Sequence, residues 1–355
     1  MGSVAPTIAK SLKHIEWMWQ SNPNPWSGLE PAEWSHYSDA ENIIIEEAFS
    51  KRKRRAILDD YYIDFKNNLQ ISKSDSNKRR PIKRMVCEKE NKPLREERFT
   101  DLPIASKRLF GGEYGWVPPF IIEVRIYLAL KSDELPSKNP RIIPMLVRKA
   151  ARGIIEEGNR IGKQLEGKCL ANMLREKKNK GIEEVWKCCA YLYTLETFLY
   201  KTLNATMRLV GDEEHEQEWR SKIRTLGPFC LLLWDDPFDK IAKTEMTLYR
   251  GANLEPEQIA IYKDMAQHPD KYRSYQAFTS CSRNRQKAEP FGNTLFIMKV
   301  LSAFTADLCK LSKYPDEEEE LITPGVGFRV ERVDFNHETN KHLIYLELRQ
   351  RWSSK

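Results

Sequence analysis

Five consecutive carboxylates, Asp316-Glu317-Glu318-Glu319-Glu320, run straight into Leu321-Ile322-Thr323-Pro324-Gly325. A run of like charges is by default a solvated loop. The apolar pair and the Pro-Gly turn that close this one predict instead a strand that starts inside the acids. Alternate residues of a strand point to one side, which would bring Glu317 and Glu319 together and leave Asp316, Glu318 and Glu320 as solvated charge. Two carboxylates converging at the mouth of a sheet are candidates for acid–base work or for stabilising an oxocarbenium-like state. Such a strand must find neighbours and a partner site elsewhere in the chain.

Neighbours are plentiful between residues 245 and 352. Strand-like pieces cover Met246 to Gly251, Ser274 to Cys281, Thr294 to Leu301, Glu319 to Ile322, Phe328 to Phe335 and His342 to Gln350. The polar turn Asn336 to Lys341 predicts a hairpin between the last two, and Ile344, Leu346 and Leu348 alternate as in a half-buried strand. Helical patterns fill Pro256 to Gln267 and Asn284 to Phe291. The expectation is an α+β, mainly antiparallel arrangement rather than a doubly wound sheet. No G-x-G-x-x-G or Walker-type loop occurs, so a nucleotide would have to be held by other means.

With 355 residues and 41% hydrophobic content the chain can bury a core and is long enough for two domains. A balance of 58 basic against 51 acidic side chains, +7, is too mild for a nucleic-acid signature. Seven cysteines without regular spacing predict no disulfide framework, and Cys188-Cys189 read as buried thiols. No apolar run approaches the length of a membrane span. The first six residues lack both the apolar core of a signal peptide and a myristoylation serine or threonine. A cytoplasmic protein is the expectation, with Lys51 to Arg55 read as a solvated basic loop or a nuclear signal. His215 has no second His or Cys at metal spacing, so no metal is expected.

Residues 10–86 differ in character from the rest. They hold Trp17, Trp19, Trp26 and Trp34, then a helical pattern from Asp39 through Phe49 with Asp39 as candidate cap, then strand-like Tyr61 to Phe65, Asn68 to Ile71 and Arg80 to Arg84. The series Trp17-Met18-Trp19, Trp34 to Ser38, Asn42 to Glu46, Tyr62 to Phe65, Gln70 and Arg79 to Arg84 resembles a WWE domain. Its name-giving residues are best matched by Trp17, Trp34 and Glu46. The resemblance implies a half-barrel with one helix that binds ADP-ribose units of poly(ADP-ribose), chiefly the iso-ADP-ribose linkage. It implies a binding face of Tyr37, Tyr61, Gln70 and Arg80: rings to flank an adenine, an amide to read its edge, a guanidinium for phosphate. Ala40 stands where some relatives carry an arginine.

Residues 87–120 read as a charged, proline-containing linker, and 121–240 as a mainly helical segment. Helices are expected over Met145 to Glu157, Gln164 to Lys177, Ile182 to Leu209 and Glu216 to Leu226, followed by an apolar packing segment from Pro228 to Trp234. Phe120 to Ile126 fits a strand or the opening of a helix equally.

Three motifs in the core, 241–352, complete the picture. Leu248-Tyr249-Arg250-Gly251 places an arginine at a strand end, Phe278-Thr279-Ser280-Cys281-Ser282 places hydroxyls at another, and the acidic run supplies carboxylates. In this order and spacing, and with Ala288 to Phe296 after the serines, they resemble the R–S–E signature of clostridial- and ecto-type mono-ADP-ribosyltransferases. Cys281 replaces the usual central threonine of the serine triplet. The resemblance implies two packed, mainly antiparallel sheets preceded by helices, and NAD+ as substrate. It implies that Arg250, with Gly251 beside it, clamps the pyrophosphate. Ser280 would orient the catalytic carboxylate and Ser282 would shape the nicotinamide pocket. Phe291 would wall the nicotinamide ring or serve as core. Glu319 would bind the ribose 2′-hydroxyl, and Tyr314 would help present the acceptor. A glutamate two residues before the catalytic one, here Glu317, accompanies protein-arginine acceptors in that family. NAD+ glycohydrolysis, or a reader with an inactive transferase fold, are the competing expectations.

Overall fold

The computed structural model describes residues 14–87, 117–131, 134–238, 244–268, 270 and 272–349. The expectations for the N-terminal leader and for most of the linker fall outside them.

The N-terminal domain is an antiparallel sheet wrapped on one helix. Its strands are β1 (His14–Gln20), β2 (Trp34–His36), β3 (Arg55–Ile57), β4 (Tyr61–Asp64), β5 (Leu69–Ser72) and β6 (Arg79–Cys87), ordered β2-β1-β6-β5-β4-β3. Because β2 and β3 stay at opposite edges, the sheet does not close into a barrel. Helix α1 (Asp39–Ser50) packs Ile45 and Ala48 against Trp17, Ile63 and Ile82. Its cap is Ser38 rather than Asp39. Ser38 Oγ accepts the Glu41 N–H while the Glu41 carboxylate accepts the Ser38 N–H, a reciprocal capping box. Asp39 is thereby released for other work.

The middle of the chain is helical: α2 (Pro119–Tyr127), α3 (Ile143–Arg160), α4 (Gln164–Glu176), α5 (Ile182–Thr194), α6 (Phe198–Arg208), α7 (Glu216–Ser221) and α8 (Ile223–Trp234). The ambiguous Phe120 to Ile126 segment is helix, started by Pro119 in its first turn. The single helix expected over Ile182 to Leu209 is two, broken where Leu195 turns extended. Carboxylates from outside the segment supply the break: Asp39 accepts the Glu196 N–H and Glu166 the Phe198 N–H. Such partners satisfy donors that a helix start leaves orphaned, and no local pattern announces them. The packing segment after Pro228 proved to be helix as well, and the helix expected over Glu216 to Leu226 is split between α7 and α8. Helices α3 and α8 touch backbone to backbone at Gly153, where a Cβ would lie 1.8 Å from the Thr225 carbonyl oxygen.

The C-terminal part is a mixed sheet of β7 (Met246–Ala252), β8 (Arg273–Ser274), β9 (Thr279–Ser282), β10 (Thr294–Ser302), β11 (Thr305–Asp307), β12 (Glu319–Ile322), β13 (Gly327–Asn336) and β14 (Lys341–Arg349). Their order is β11-β12-β9-β7-β10-β14-β13-β8. The pairs are antiparallel except β10 with β14, and β13 with β14 is the expected hairpin. Tyr249 opposite Ser282 is the one register pair joining β7 to β9, so two sub-sheets meet at a narrow seam. The strand expected over Ser274 to Cys281 is two short strands, β8 at the sheet's edge and β9 within it. Helices α9 (Pro256–Ala266) and α10 (Arg285–Ala288) complete this part. No helix among the described residues is long and apolar enough to cross a membrane.

Candidate active site

The acidic run is not one strand. Pro315–Glu317 forms a single 3-10 turn, Glu318 adopts a left-handed conformation (φ 48°, ψ 46°), and β12 starts at Glu319. Glu317 therefore does not share a strand face with Glu319 by alternation. Both are nonetheless buried, at 1% and 0% exposure. A non-glycine residue held left-handed costs about 1–3 kcal/mol and persists where its surroundings over-determine it. Here they do. The Ser282 hydroxyl donates to the Glu317 carbonyl (2.8 Å), the Asn284 amide to the Glu318 carboxylate (2.9 Å), and the Arg283 N–H to the Glu318 carbonyl (3.1 Å).

Glu320, expected to be solvated, is fully buried on the opposite face of β12, where the Thr305 hydroxyl donates to it at 2.6 Å. Asp316 is exposed and Glu318 half-buried, closer to expectation. Register pairs Glu319 with Ser282 and Leu321 with Ser280. Ser282 is thus the direct cross-strand neighbour of Glu319, and Ser280 its diagonal neighbour on the same face. Cys281 faces the other way, and burial, more than its neighbours Glu319 and Glu320, pushes its thiol up to about 12 despite Arg250. A thiol that stays protonated is no nucleophile.

Arg250 lies on β7, 4% exposed, with one Nη donating to the Ser280 carbonyl at 2.5 Å. Its position ties the arginine strand to the serine strand beside their one register pair. Gly251 next to it allows no side chain: a Cβ would meet the carbonyl oxygens of Ala288 and Phe291, each at 2.6 Å. The segment 288–292 therefore lies flat on β7. Gly292, at φ +64°, bridges Ala252, and a Cβ there would lie 2.1 Å from the Ala252 oxygen. Phe291 is 8% exposed. Lys341 locks this segment from outside, donating to the carbonyls of Glu289 (2.5 Å), Gly292 (2.6 Å) and Phe291 (3.3 Å). Burial holds its ammonium below the ordinary lysine range. The structure thus gathers Arg250, Gly251, Ser280, Ser282, Glu317, Glu319 and Phe291 around the β7–β9–β12 seam.

The second expected site sits on the N-terminal sheet. The Tyr37 hydroxyl donates to Gln70 Oε1 at 2.6 Å, and both residues are buried. Burial, reinforced by Glu41 and Tyr61, keeps the Tyr37 phenol protonated. Gln70 pairs with Arg80 on one side and with Ile63 on the other, and Tyr61 pairs with Ser72, so Tyr61, Gln70 and Arg80 share a face. Arg80 Nη1 donates to the Gln20 and Asn22 carbonyls (2.9 and 2.7 Å), and its guanidinium lies over Trp19. Two of the three name-giving residues, Trp17 and Glu46, have structural work. Trp17 Nε1 donates to Glu46 (2.8 Å), which also receives two hydrogen bonds from Arg84. Burial pushes Glu46 up, but the bonds from Arg84 and Trp17 outweigh it and hold the carboxyl below its ordinary range.

Sequence reasoning passed over Asn284, Thr305 and Lys341. Asn284 had a usable signal, two residues after the serine triplet at a helix start. Thr305 and Lys341 reach the site from β11 and β14, and only tertiary structure reveals them.

Comparison with known proteins gives two family matches and several structural ones. Residues 15–84 match the WWE domain, and residues 187–354 match NAD:arginine ADP-ribosyltransferase. No curated protein matches the chain. Among solved structures, the ADP-ribosyltransferase HopU1 of Pseudomonas syringae pv. tomato is 21% identical, with 51% of this chain and 87% of that one covered (TM-score 0.40). The type III effector XopAI from Xanthomonas axonopodis pv. citri is 13% identical over 69% and 96% (TM-score 0.43). C3stau2 from S. aureus, determined with NAD, is 14% identical over 47% and 87% (TM-score 0.34). The chain thus carries a WWE domain at residues 15–84 followed by an NAD:arginine ADP-ribosyltransferase domain at residues 187–354.

Proposed function

We propose that this chain moves ADP-ribose from NAD+ to an arginine side chain of a protein acceptor, while its WWE domain binds ADP-ribose units through Tyr37, Tyr61, Gln70 and Arg80. The observation that carries the reading is the buried pair Glu317 and Glu319, set on either side of a left-handed residue and tied to the serine strand.

In this reading the bond between the ribose anomeric carbon and nicotinamide breaks, and its electron pair leaves with the nicotinamide, which departs neutral. The anomeric carbon gains positive charge, as in glycoside cleavage. Glu319 accepts a hydrogen bond from the ribose 2′-hydroxyl, an interaction that strengthens as the charge develops. Ser280 and Ser282 flank that carboxylate, and Arg250 with Gly251 forms the phosphate side of the site. Phe291 covers the nicotinamide side. A guanidinium is protonated and a poor nucleophile at neutral pH. Glu317 orients it and takes its proton as nitrogen attacks the anomeric carbon.

The test is incubation of the full chain with labelled NAD+ and agmatine or an arginine-rich protein, with Glu319→Ala as control. Hydroxylamine-labile label on the acceptor is the expected result. Nicotinamide release without transfer would make the chain a glycohydrolase, and neither would leave it a reader. For the WWE domain, calorimetry with iso-ADP-ribose is the direct measurement, and no heat at millimolar ligand would defeat the binding assignment.

A further inference from the structure

Asp39 is the first residue of α1 in the WWE domain, yet its carboxylate serves the transferase. It accepts the Glu196 N–H at 2.7 Å in the break between α5 and α6. The Tyr314 hydroxyl lies 3.0 and 3.1 Å from its two oxygens, and the Lys313 ammonium forms an ion pair with it. Asp39 is 3% exposed and Tyr314 8%. A carboxylate this buried is tolerated because it is paired and hydrogen-bonded, and removing it leaves the partner charge stranded.

The partners matter because of where they sit. Lys313 and Tyr314 lead directly into the 3-10 turn that ends at Glu317, and the Glu317 N–H donates to the Tyr314 carbonyl at 3.2 Å. At the far end, Ser282 and Asn284 of the transferase hold Glu317 and Glu318. The short segment that carries Glu317 is therefore fixed from both sides, by the transferase behind it and by the WWE domain in front.

We propose that Asp39 is a positioning residue for Glu317, which makes the WWE domain a structural part of the guanidine-transfer site whether or not it holds a ligand. The proposal rests on the reading of Glu317 as the acceptor-side acid. A second cross-domain contact provides its control. Asp59 accepts the Leu165 and Glu166 N–H groups (2.8 and 3.3 Å) at the start of α4, docking the WWE domain on the helical segment without touching residues 313–318.

The experiment measures agmatine ADP-ribosylation and NAD+ hydrolysis side by side in the full chain, for wild type, Asp39→Ala, Asp39→Asn, Lys313→Met and Asp59→Ala. A misplacement of about 1 Å can cost about a hundredfold in rate. Asp39→Ala is expected to lower kcat/KM for agmatine about tenfold to a hundredfold, with hydrolysis and the KM for NAD+ unchanged within about twofold. Asp39→Asn, which keeps an acceptor oxygen but loses the charge facing Lys313, falls between, and carries the test if the alanine variant does not fold. Its effect combined with Lys313→Met is expected to be less than additive. Asp59→Ala lowers the melting temperature and leaves the ratio of transfer to hydrolysis as in wild type. An unchanged ratio in folded Asp39 variants, or an equal shift in Asp59→Ala, overturns the proposal. Absence of agmatine transfer in the wild type overturns the functional reading instead, and the proposal with it.

Discussion

The Ser282 hydroxyl donates to the Glu317 carbonyl at 2.8 Å while its oxygen accepts the Asn284 N–H at 3.0 Å. One fully buried serine thus ties the serine strand to the acidic segment and to the start of α10. Deleting a hydroxyl here takes a donor from a buried carbonyl and an acceptor from a half-buried N–H, which costs about 1–3 kcal/mol. Ser282→Ala should lower the melting temperature and reduce transfer more than NAD+ binding. Ser282→Thr, which keeps the hydroxyl, should recover part of both. Equal activity in the alanine variant would remove Ser282 from the site's construction.

Glu317→Gln separates orientation from proton uptake. The amide keeps the shape and can still hold a guanidinium by hydrogen bonding through its oxygen, but it cannot take a proton. A positioned base contributes about a hundredfold to ten-thousandfold. Transfer to agmatine should fall by about that factor while nicotinamide release persists. Parallel loss of both rates, measured by nicotinamide and by labelled acceptor in one assay, would assign Glu317 to the ribose instead.

The contrast between what was readable and what was not is sharpest along residues 312–322. The strand Glu319–Ile322 was legible because apolar alternation and a Pro-Gly stop are local signals. The left-handed Glu318 and the burial of Glu320 were not, because Asn284 and Thr305 stabilise them from elsewhere in the chain. The same holds for the break between α5 and α6. Propensity favours a continuous helix there, and Asp39 and Glu166 override it by capping from outside the segment. The strands that carry Arg250 and Glu319, by contrast, were readable individually, since their patterns are local.

Lys341 offers a test of the wall that carries Phe291. Its ammonium satisfies three backbone carbonyls of a segment that Gly251 and Gly292 allow to lie flat on β7. Lys341→Met keeps the stem and removes the donors, so the segment loses its outer tie. The KM for NAD+ should rise about tenfold, equivalent to about 1.4 kcal/mol, with kcat less affected. Lys341→Arg should restore much of the affinity. A kcat loss at constant KM would place the effect on chemistry rather than on binding.

Glu166 makes stability depend on pH at the junction of the two domains. It lies in the first turn of α4, whose first N–H groups Asp59 caps, and it accepts the Phe198 N–H at 3.1 Å. Burial, with Glu41 and Asp59 nearby, raises its pKa from 4.5 to about 7 against the opposing pull of the Phe198 N–H and Lys163. A raised folded-state pKa means that the folded protein binds the proton more tightly than the unfolded chain. The resulting stabilisation is complete below about 4.5 and is lost as pH rises through about 7. The shift corresponds to about 3 kcal/mol. Melting temperature should therefore fall between pH 5 and 8 more steeply in the wild type than in Glu166→Gln, whose amide cannot ionise but still accepts from Phe198. Identical slopes in the two proteins would show that Glu166 is not the group being titrated.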